Sequence, residues 1–448
     1  MAPHRAPAVP MTVEPSTVAS PPPLPAPPPA VWRVAWASTM AWGYGTAAQA
    51  TIRELTTVAI GGQAVRVRIS NLFGTRPLVL GAGTVAASTG AGATIDTATL
   101  LPLAFNGSAN VTVPTGAVIY TEPVPIAVHA GETLAVSLFV TSPDLITVHP
   151  CCAGPLVSYF TPNGAGNATE VASGGVFAYS STWERLVDAI DVLQAHGNGS
   201  IVVLGDSISD GYRSALRWTD VLQQRIDQLP SAQRRAVVNE AITANTLTDP
   251  PRSDATTGGG PAGLDRLDRD ALDQAGVSEV ILFLGTNDLY FGAPSAQVIA
   301  GMQQVVAATH AAGMRIVGVT LLPRQTSVTE TWTPQQQTHL EQVNDWMLHS
   351  GGFDGIVNLA SVVSDMYDGA CEPTAMFDLY DSGDHLHPDA AGETAMADAI
   401  DTTTLGLPPA PLVSPVPTVT PTAGCSGVLG IPPPSGPGRP ALAPTPPG

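Results

Sequence analysis

Ser200-Ile201-Val202-Val203-Leu204-Gly205-Asp206-Ser207 is the stretch that decides the fold. A short apolar run that ends in glycine suits a buried parallel strand, and residues 215–229 after it carry a helical pattern. The alternation then repeats. Residues 236–239, 280–284, 315–320 and 355–358 read as strands, and residues 295–312, 334–348 and 390–400 as helices. Strands alternating with helices predict a doubly wound α/β sheet over residues 198–402. Sites in such sheets lie at the carboxyl ends of the strands, where Asp206 and Ser207 fall.

Upstream, residues 31–195 read as β-structure. Ala64-Val65-Arg66-Val67-Arg68-Ile69-Ser70 alternates apolar and polar residues as a half-buried strand does. Gly61-Gly62 before it reads as a hairpin turn. Gly131-Glu132 followed by Thr133-Leu134-Ala135-Val136-Ser137-Leu138-Phe139-Val140 reads as a turn and a further strand. Several such runs, separated by Gly, Pro, Asn and Thr clusters, predict an all-β sandwich-like accessory domain. Residues 1–30 and 407–448 together hold more than half of the 43 prolines. No helix or sheet ladder is open to such segments, and they are expected to be extended linkers.

Composition narrows the partners. With 44% hydrophobic residues and only 12% charged ones, the 448-residue chain can build a real core. The net charge of -19, with arginine as the sole basic residue besides histidine, leaves no basic stripe to neutralise a phosphate backbone. Nucleic acid is therefore excluded as a natural partner. A neutral ester, lipid or uncharged polysaccharide fits better than a polyanion. No apolar run approaches a membrane span, and residues 1–30 hold no continuous apolar core of an export signal. Cys151, Cys152, Cys371 and Cys425 show no C-x-x-C spacing, so a zinc or redox motif is unsupported. Their pairing stays open, although a bridge between adjacent Cys151 and Cys152 would be strained.

Three short segments carry chemistry. Gly205-Asp206-Ser207 follows the first strand, where a serine hydroxyl can be exposed at a tight turn; alone, it reads more readily as a helix cap. Gly285-Thr286-Asn287-Asp288 follows the third strand, where an asparagine amide can donate to a developing oxyanion; alone, it is an Asn-Asp turn. Asp384-His385-Leu386-His387-Pro388 precedes the last helix. Aspartate and histidine three apart can hydrogen-bond if the loop curls, fixing the imidazole tautomer. All three segments fall at the same edge of one sheet, and that coincidence favours catalysis over three unrelated loops.

As a set, the three segments make the chain resemble the SGNH hydrolases, also called GDSL lipases or esterases: Gly205-Asp206-Ser207 looks like their first block, Gly285-Thr286-Asn287-Asp288 like their third, and Asp384–Pro388 like their fifth. The resemblance covers residues 198–402. It implies a three-layer α/β/α flavodoxin-like domain with Ser207 as nucleophile, His387 as base and Asp384 as its orienting partner. It also implies an oxyanion hole from the Ser207 backbone, Asn287 and one further N–H, with no metal or cofactor required. That further donor falls in Asn239-Glu240-Ala241-Ile242-Thr243-Ala244-Asn245-Thr246, where Ala244 stands at the family's glycine. Alanine serves there if its φ is negative; a positive φ would strain it. The N-terminal part, through Arg53, Ser70-Asn71-Leu72-Phe73-Gly74 and Val136-Ser137, resembles the β-domain that precedes some bacterial SGNH domains. From these likenesses a secreted, monomeric ester hydrolase is expected, its export signal removed.

Three rivals are weighed. An α/β-hydrolase would carry a G-x-S-x-G, which the chain lacks. A metal hydrolase built on Asp384, His385 and His387, with His149, would have no helix-facing ligand pair. A polysaccharide- or surface-binding protein with a weakened hydrolase domain would explain Ala244 but not the intact Ser207, Asn287, Asp384 and His387. Trp32, Trp36 and Trp42 are expected to pack between the β-domain and the core rather than to stack on sugars. His310, His339 and His349 are expected on helices with structural roles, and the N-x-S/T sites at Asn106, Asn110, Asn167 and Asn198 as plain loops.

Overall fold

A computed structural model describes residues 29–142, 144–150, 156–195, 197–249, 259–324, 326–350, 352–364 and 375–413. The four cysteines, the proline-rich segment through residue 28 and the tail from residue 414 lie outside these residues, and so does the question of disulfide pairing.

The C-terminal sheet has five strands, all parallel, in the spatial order Ala236–Asn239, Ser200–Gly205, Val277–Phe283, Arg315–Val319, Gly355–Val357. That is the flavodoxin-like order, with the first strand next to the edge strand Ala236–Asn239 and the reversal of winding between it and Val277–Phe283. Alternation of side chains along the strands separates two faces. Ile201, Val203, Ile281 and Phe283 pack with Trp218, Leu222 and Met396 from helices Trp218–Ile226 and Ala390–Ala399. Val202, Leu204, Val280 and Leu282 pack with Val298, Met302 and Val343 from helices Ser295–Ala311 and Pro334–His349. The three-layer α/β/α domain expected from the alternating pattern is therefore present. Its helices start where local chemistry says they should: Thr333 and Gln336 form a capping box around Pro334, and Asp389 caps the final helix through the N–H groups of Ala391 and Gly392.

Residues 31–194 form antiparallel sheets. A four-stranded sheet runs Val31–Ala37, Val187–Gln194, Val65–Ser70, Val118–Tyr120, and a seven-stranded sheet centres on Ala50–Thr57, Thr133–Val140 and Leu78–Ala87. A three-stranded sheet joins Glu184–Arg185, Asp144–His149 and Trp42–Ala47. The Gly61-Gly62 reading needs correction. The strands on either side of it, Ala50–Thr57 and Val65–Ser70, lie in different sheets, so the glycines carry a crossing rather than a hairpin. Gly62 is bridged to Val128, and a Cβ there would lie 2.7 Å from the Val192 Cβ. Glycine was needed for close approach, not for a turn.

This β-region and the α/β domain share one hydrophobic core, which runs from Val34, Val65 and Ile190 to Ala236, Val280 and Leu282. Polar links cross the seam: the Val34 N–H donates to the Ala275 carbonyl at 2.7 Å, and the Ser200 hydroxyl donates to the Val34 carbonyl at 2.7 Å. Arg53, which prompted the N-terminal resemblance, is fully buried; it donates to Ser137 and to the carbonyls of Ala93, Thr169 and Val171, beneath the Phe177 ring. Trp36 and Trp42 pack against the core, and Trp32 lies under the Arg66 guanidinium. His310 and His339 bond to Asp354 and Ser295 of neighbouring segments, and His349 to Asp345 along its own helix.

Candidate active site

Ser207 begins a single helical turn, Ser207–Asp210, just after the strand Ser200–Gly205. Asp206 caps that turn by accepting the Ile208 N–H at 3.1 Å, and burial pushes the Asp206 carboxyl up to about 7. Gly205 is required here, because a Cβ would lie 2.6 Å from the Ser209 Cβ. The hydroxyl of Ser207 meets His387 Nε2 at 2.9 Å, and His387 Nδ1 meets Asp384 Oδ2 at 2.8 Å.

The loop that carries Asp384 and His387 does curl, for a reason visible in its bonds. One oxygen of Asp381 accepts the N–H groups of Gly383, Asp384 and His385. Asp384 Oδ1 then accepts those of Leu386 and His387 at 3.1 and 2.9 Å. His385 takes a left-handed φ of 57° and turns its ring to Asp381, away from Asp384 and His387. The histidines and aspartates of the metal-centre rival are thus divided, His149 being paired with Asp210. Burial pushes the Asp384 carboxyl up, but the bonds from the His387 ring and from the His387 and Leu386 N–H groups outweigh it and hold it well below the ordinary carboxylate range. An aspartate kept ionised beside the imidazole favours the tautomer with its proton on Nδ1, which leaves Nε2 free to accept from Ser207. The Tyr212 ring stands edge-on to His387 at 4.9 Å and is partly exposed, so it borders the mouth.

Across from this pair lies the loop expected to supply oxyanion donors. Ala244 has φ 63°, in the left-handed region, where a residue with a Cβ costs roughly 1–2 kcal/mol. The strained alternative raised by the sequence is the one the fold adopts. Both neighbours of Ala244 are held: Asp210 accepts the Thr243 N–H and hydroxyl at 2.8 and 2.7 Å, and Arg266 grips the Asn245 side chain. Such over-determination is what lets strain persist. Among the described residues, the N–H groups of Ser207 and Ala244 donate to no protein acceptor. Asn287 donates one amide hydrogen to the Asn245 carbonyl at 2.9 Å, which leaves the second. Asp288, its carboxyl pushed up to about 6 by burial, accepts the N–H groups of Leu247 and Thr248 and so ties this loop to the Asn287 turn.

Sequence reasoning passed over Arg324. Its guanidinium is buried, lies over the Tyr290 and Trp332 rings, pairs with Glu330, and donates to Thr286 Oγ1 and Asn287 Oδ1 at 3.0 and 3.1 Å. By taking Oδ1 it decides which end of the Asn287 amide faces the site. Nothing near Arg324 in the chain announces this, since it sits in a loop after the Arg315–Val319 strand. Arg324→Met is expected to lower kcat by ~10–50-fold with KM within about 3-fold, because the Asn287 donor loses its fixed aim; steady-state kinetics on a p-nitrophenyl ester check it.

Residues 203–395 match the GDSL-like Lipase/Acylhydrolase family. No curated protein matches the chain. Among solved structures, a GDSL-like lipase from Bacteroides thetaiotaomicron is similar at 14% identity, covering 46% of this chain and 88% of its own, with a TM-score of 0.36. A lipase/acylhydrolase from Enterococcus faecalis is similar at 22% identity, covering 47% of this chain and 98% of its own, also with a TM-score of 0.36. Among the described residues, no helix is long and apolar enough to cross a membrane, and no cluster of three or more His, Cys, Asp or Glu is placed to hold a metal ion.

Proposed function

We propose that this chain, which carries a GDSL-like lipase/acylhydrolase domain over residues 203–395, is a serine hydrolase that cleaves neutral carboxylic esters through an acyl-enzyme on Ser207. The observation that carries the reading is the continuous hydrogen-bonded line from the Ser207 hydroxyl through both nitrogens of His387 to Asp384. A serine is a weak nucleophile unless a base stands within reach and is itself oriented, and here both conditions are met at 2.9 and 2.8 Å.

In the first half-reaction His387 Nε2 takes the Ser207 proton while Oγ bonds to the ester carbonyl carbon. The carbonyl oxygen becomes an anion held by the N–H groups of Ser207 and Ala244 and by the second amide hydrogen of Asn287. Collapse of the tetrahedral adduct breaks the bond to the alcohol oxygen, which leaves with the proton from His387. Water repeats the sequence, giving up its proton to His387 and releasing the acid from Ser207. The neutral substrate follows from the net charge of -19, which repels polyanions.

The test is an acyl-length series of p-nitrophenyl esters together with labelling by a fluorophosphonate. Turnover of at least one ester, with the label recovered on Ser207, is the expected result. Turnover with no label at Ser207, or turnover abolished by EDTA, would overturn the assignment. A preference for acetyl would point to deacetylation, and one for octanoyl or longer to lipids. Secretion belongs to the same proposal, with activity expected in the culture medium rather than in the cell lysate.

A further inference from the structure

A buried relay joins the N-terminal β-region to the oxyanion loop. His149 ends the Asp144–His149 strand, far from the α/β domain in the chain, and is nearly fully buried. Its Nδ1 donates to the Thr39 carbonyl at 2.8 Å, which leaves Nε2 to face Asp210 Oδ1 at 3.2 Å. Asp210, three residues after Ser207 and 2% exposed, spends its other oxygen on the Thr243 N–H and hydroxyl. The next residue is Ala244, at φ 63°.

We propose that His149 is a positioning residue for this hydrolase: through Asp210 it holds the Thr243-Ala244 peptide in the left-handed bend that aims the Ala244 N–H at the substrate oxyanion. The inference rests on the reading of Ser207 as an ester-cleaving nucleophile.

Three observations carry it. First, Ala244 occupies a conformation that alanine leaves unless its neighbours prevent it. Second, both oxygens of Asp210 are committed, Oδ1 facing His149 Nε2 and Oδ2 accepting twice from Thr243. A carboxylate buried to this degree needs a counter-charge, and His149 supplies it: burial pushes the imidazole down, but Asp210 beside it outweighs this and raises it to about 9. Half-buried Glu184, opposite His149 in the strand ladder, adds to the negative field on the ring, and the Arg217 guanidinium also interacts with Asp210. Third, the opposite flank of Ala244 is clamped independently by Arg266 and Asn287 through Asn245, so the Thr243 side is the one left for His149 to secure. The β-region is thereby part of the catalytic machinery and not only an attached module.

The experiment uses the full chain and p-nitrophenyl acetate. His149→Gln is expected to lower kcat about 10-fold with KM within about 2-fold. Adding Ala244→Gly to it should recover most of the loss, because glycine takes a positive φ without strain. Thr243→Val, which deletes only the hydroxyl bond and leaves the His149–Asp210 pair in place, should show the same fall and the same recovery; it stands in if the His149 variant does not fold. Unchanged kcat, a loss that appears in KM, or failure of Ala244→Gly to restore turnover would each overturn the proposal. Activity that survives Ser207→Ala would instead refute the hydrolase reading itself, and Ser207-dependent activity indifferent to His149 and Thr243 would refute this inference alone.

Discussion

Ser207→Ala is expected to lower kcat on p-nitrophenyl esters by ~10⁵-fold while moving the melting temperature by no more than about 2 °C. The activity loss is large because no other described hydroxyl is bonded to His387 Nε2, so the acyl-enzyme route closes altogether. The stability change is small because the variant removes one oxygen from a side chain that is 8% exposed and borders solvent at the mouth. The Asp206 cap, made by a different side chain to Ile208, survives. Adding His387→Ala to Ser207→Ala should cost little more, since the base has nothing left to activate and residues of one catalytic unit are strongly non-additive. Rates within 10-fold of the parent for Ser207→Ala would end the acyl-enzyme mechanism.

Asp384→Asn is expected to lower kcat by ~10⁴-fold with the fold retained. Here the local bonding decides which way the new amide points. Asp384 Oδ1 accepts two backbone N–H groups, from Leu386 and His387, so the asparagine carbonyl must take that place. Its NH2 then falls where Oδ2 was, facing His387 Nδ1. A donor there forces the imidazole to carry its proton on Nε2, which points at Ser207 and can no longer accept from it. Retained folding with kcat near the parent value would show that Asp384 only shapes the loop.

Much of the fold was legible in the chain because it is written in local pattern. The run Ile201-Val202-Val203-Leu204 is apolar throughout since both faces of its strand are covered by helices, as the two side-chain sets confirm. The three segments around Ser207, Asn287 and Asp384–His387 could be picked out because each lies where a strand ends or a helix begins, and the sheet gathers those ends at one edge. Gly61-Gly62 was misread because glycine marks both turns and close approaches, and only the Val192 contact tells them apart.

Sequence by itself determined the class of the catalytic domain, the order of its elements and the residue types available for nucleophile, base and carboxylate, all of which depend on neighbours a few positions apart. Tertiary structure decided how those groups are aimed. The left-handed φ of Ala244, the Arg324 bond that orients Asn287, and the His149–Asp210 pair that brings the β-region to the oxyanion loop join residues 37 and 61 positions apart in the last two cases. Hydrogen bonds and ion pairs of that span leave no periodicity in a chain, because their partners are chosen by how sheets and loops pack and not by spacing along the backbone.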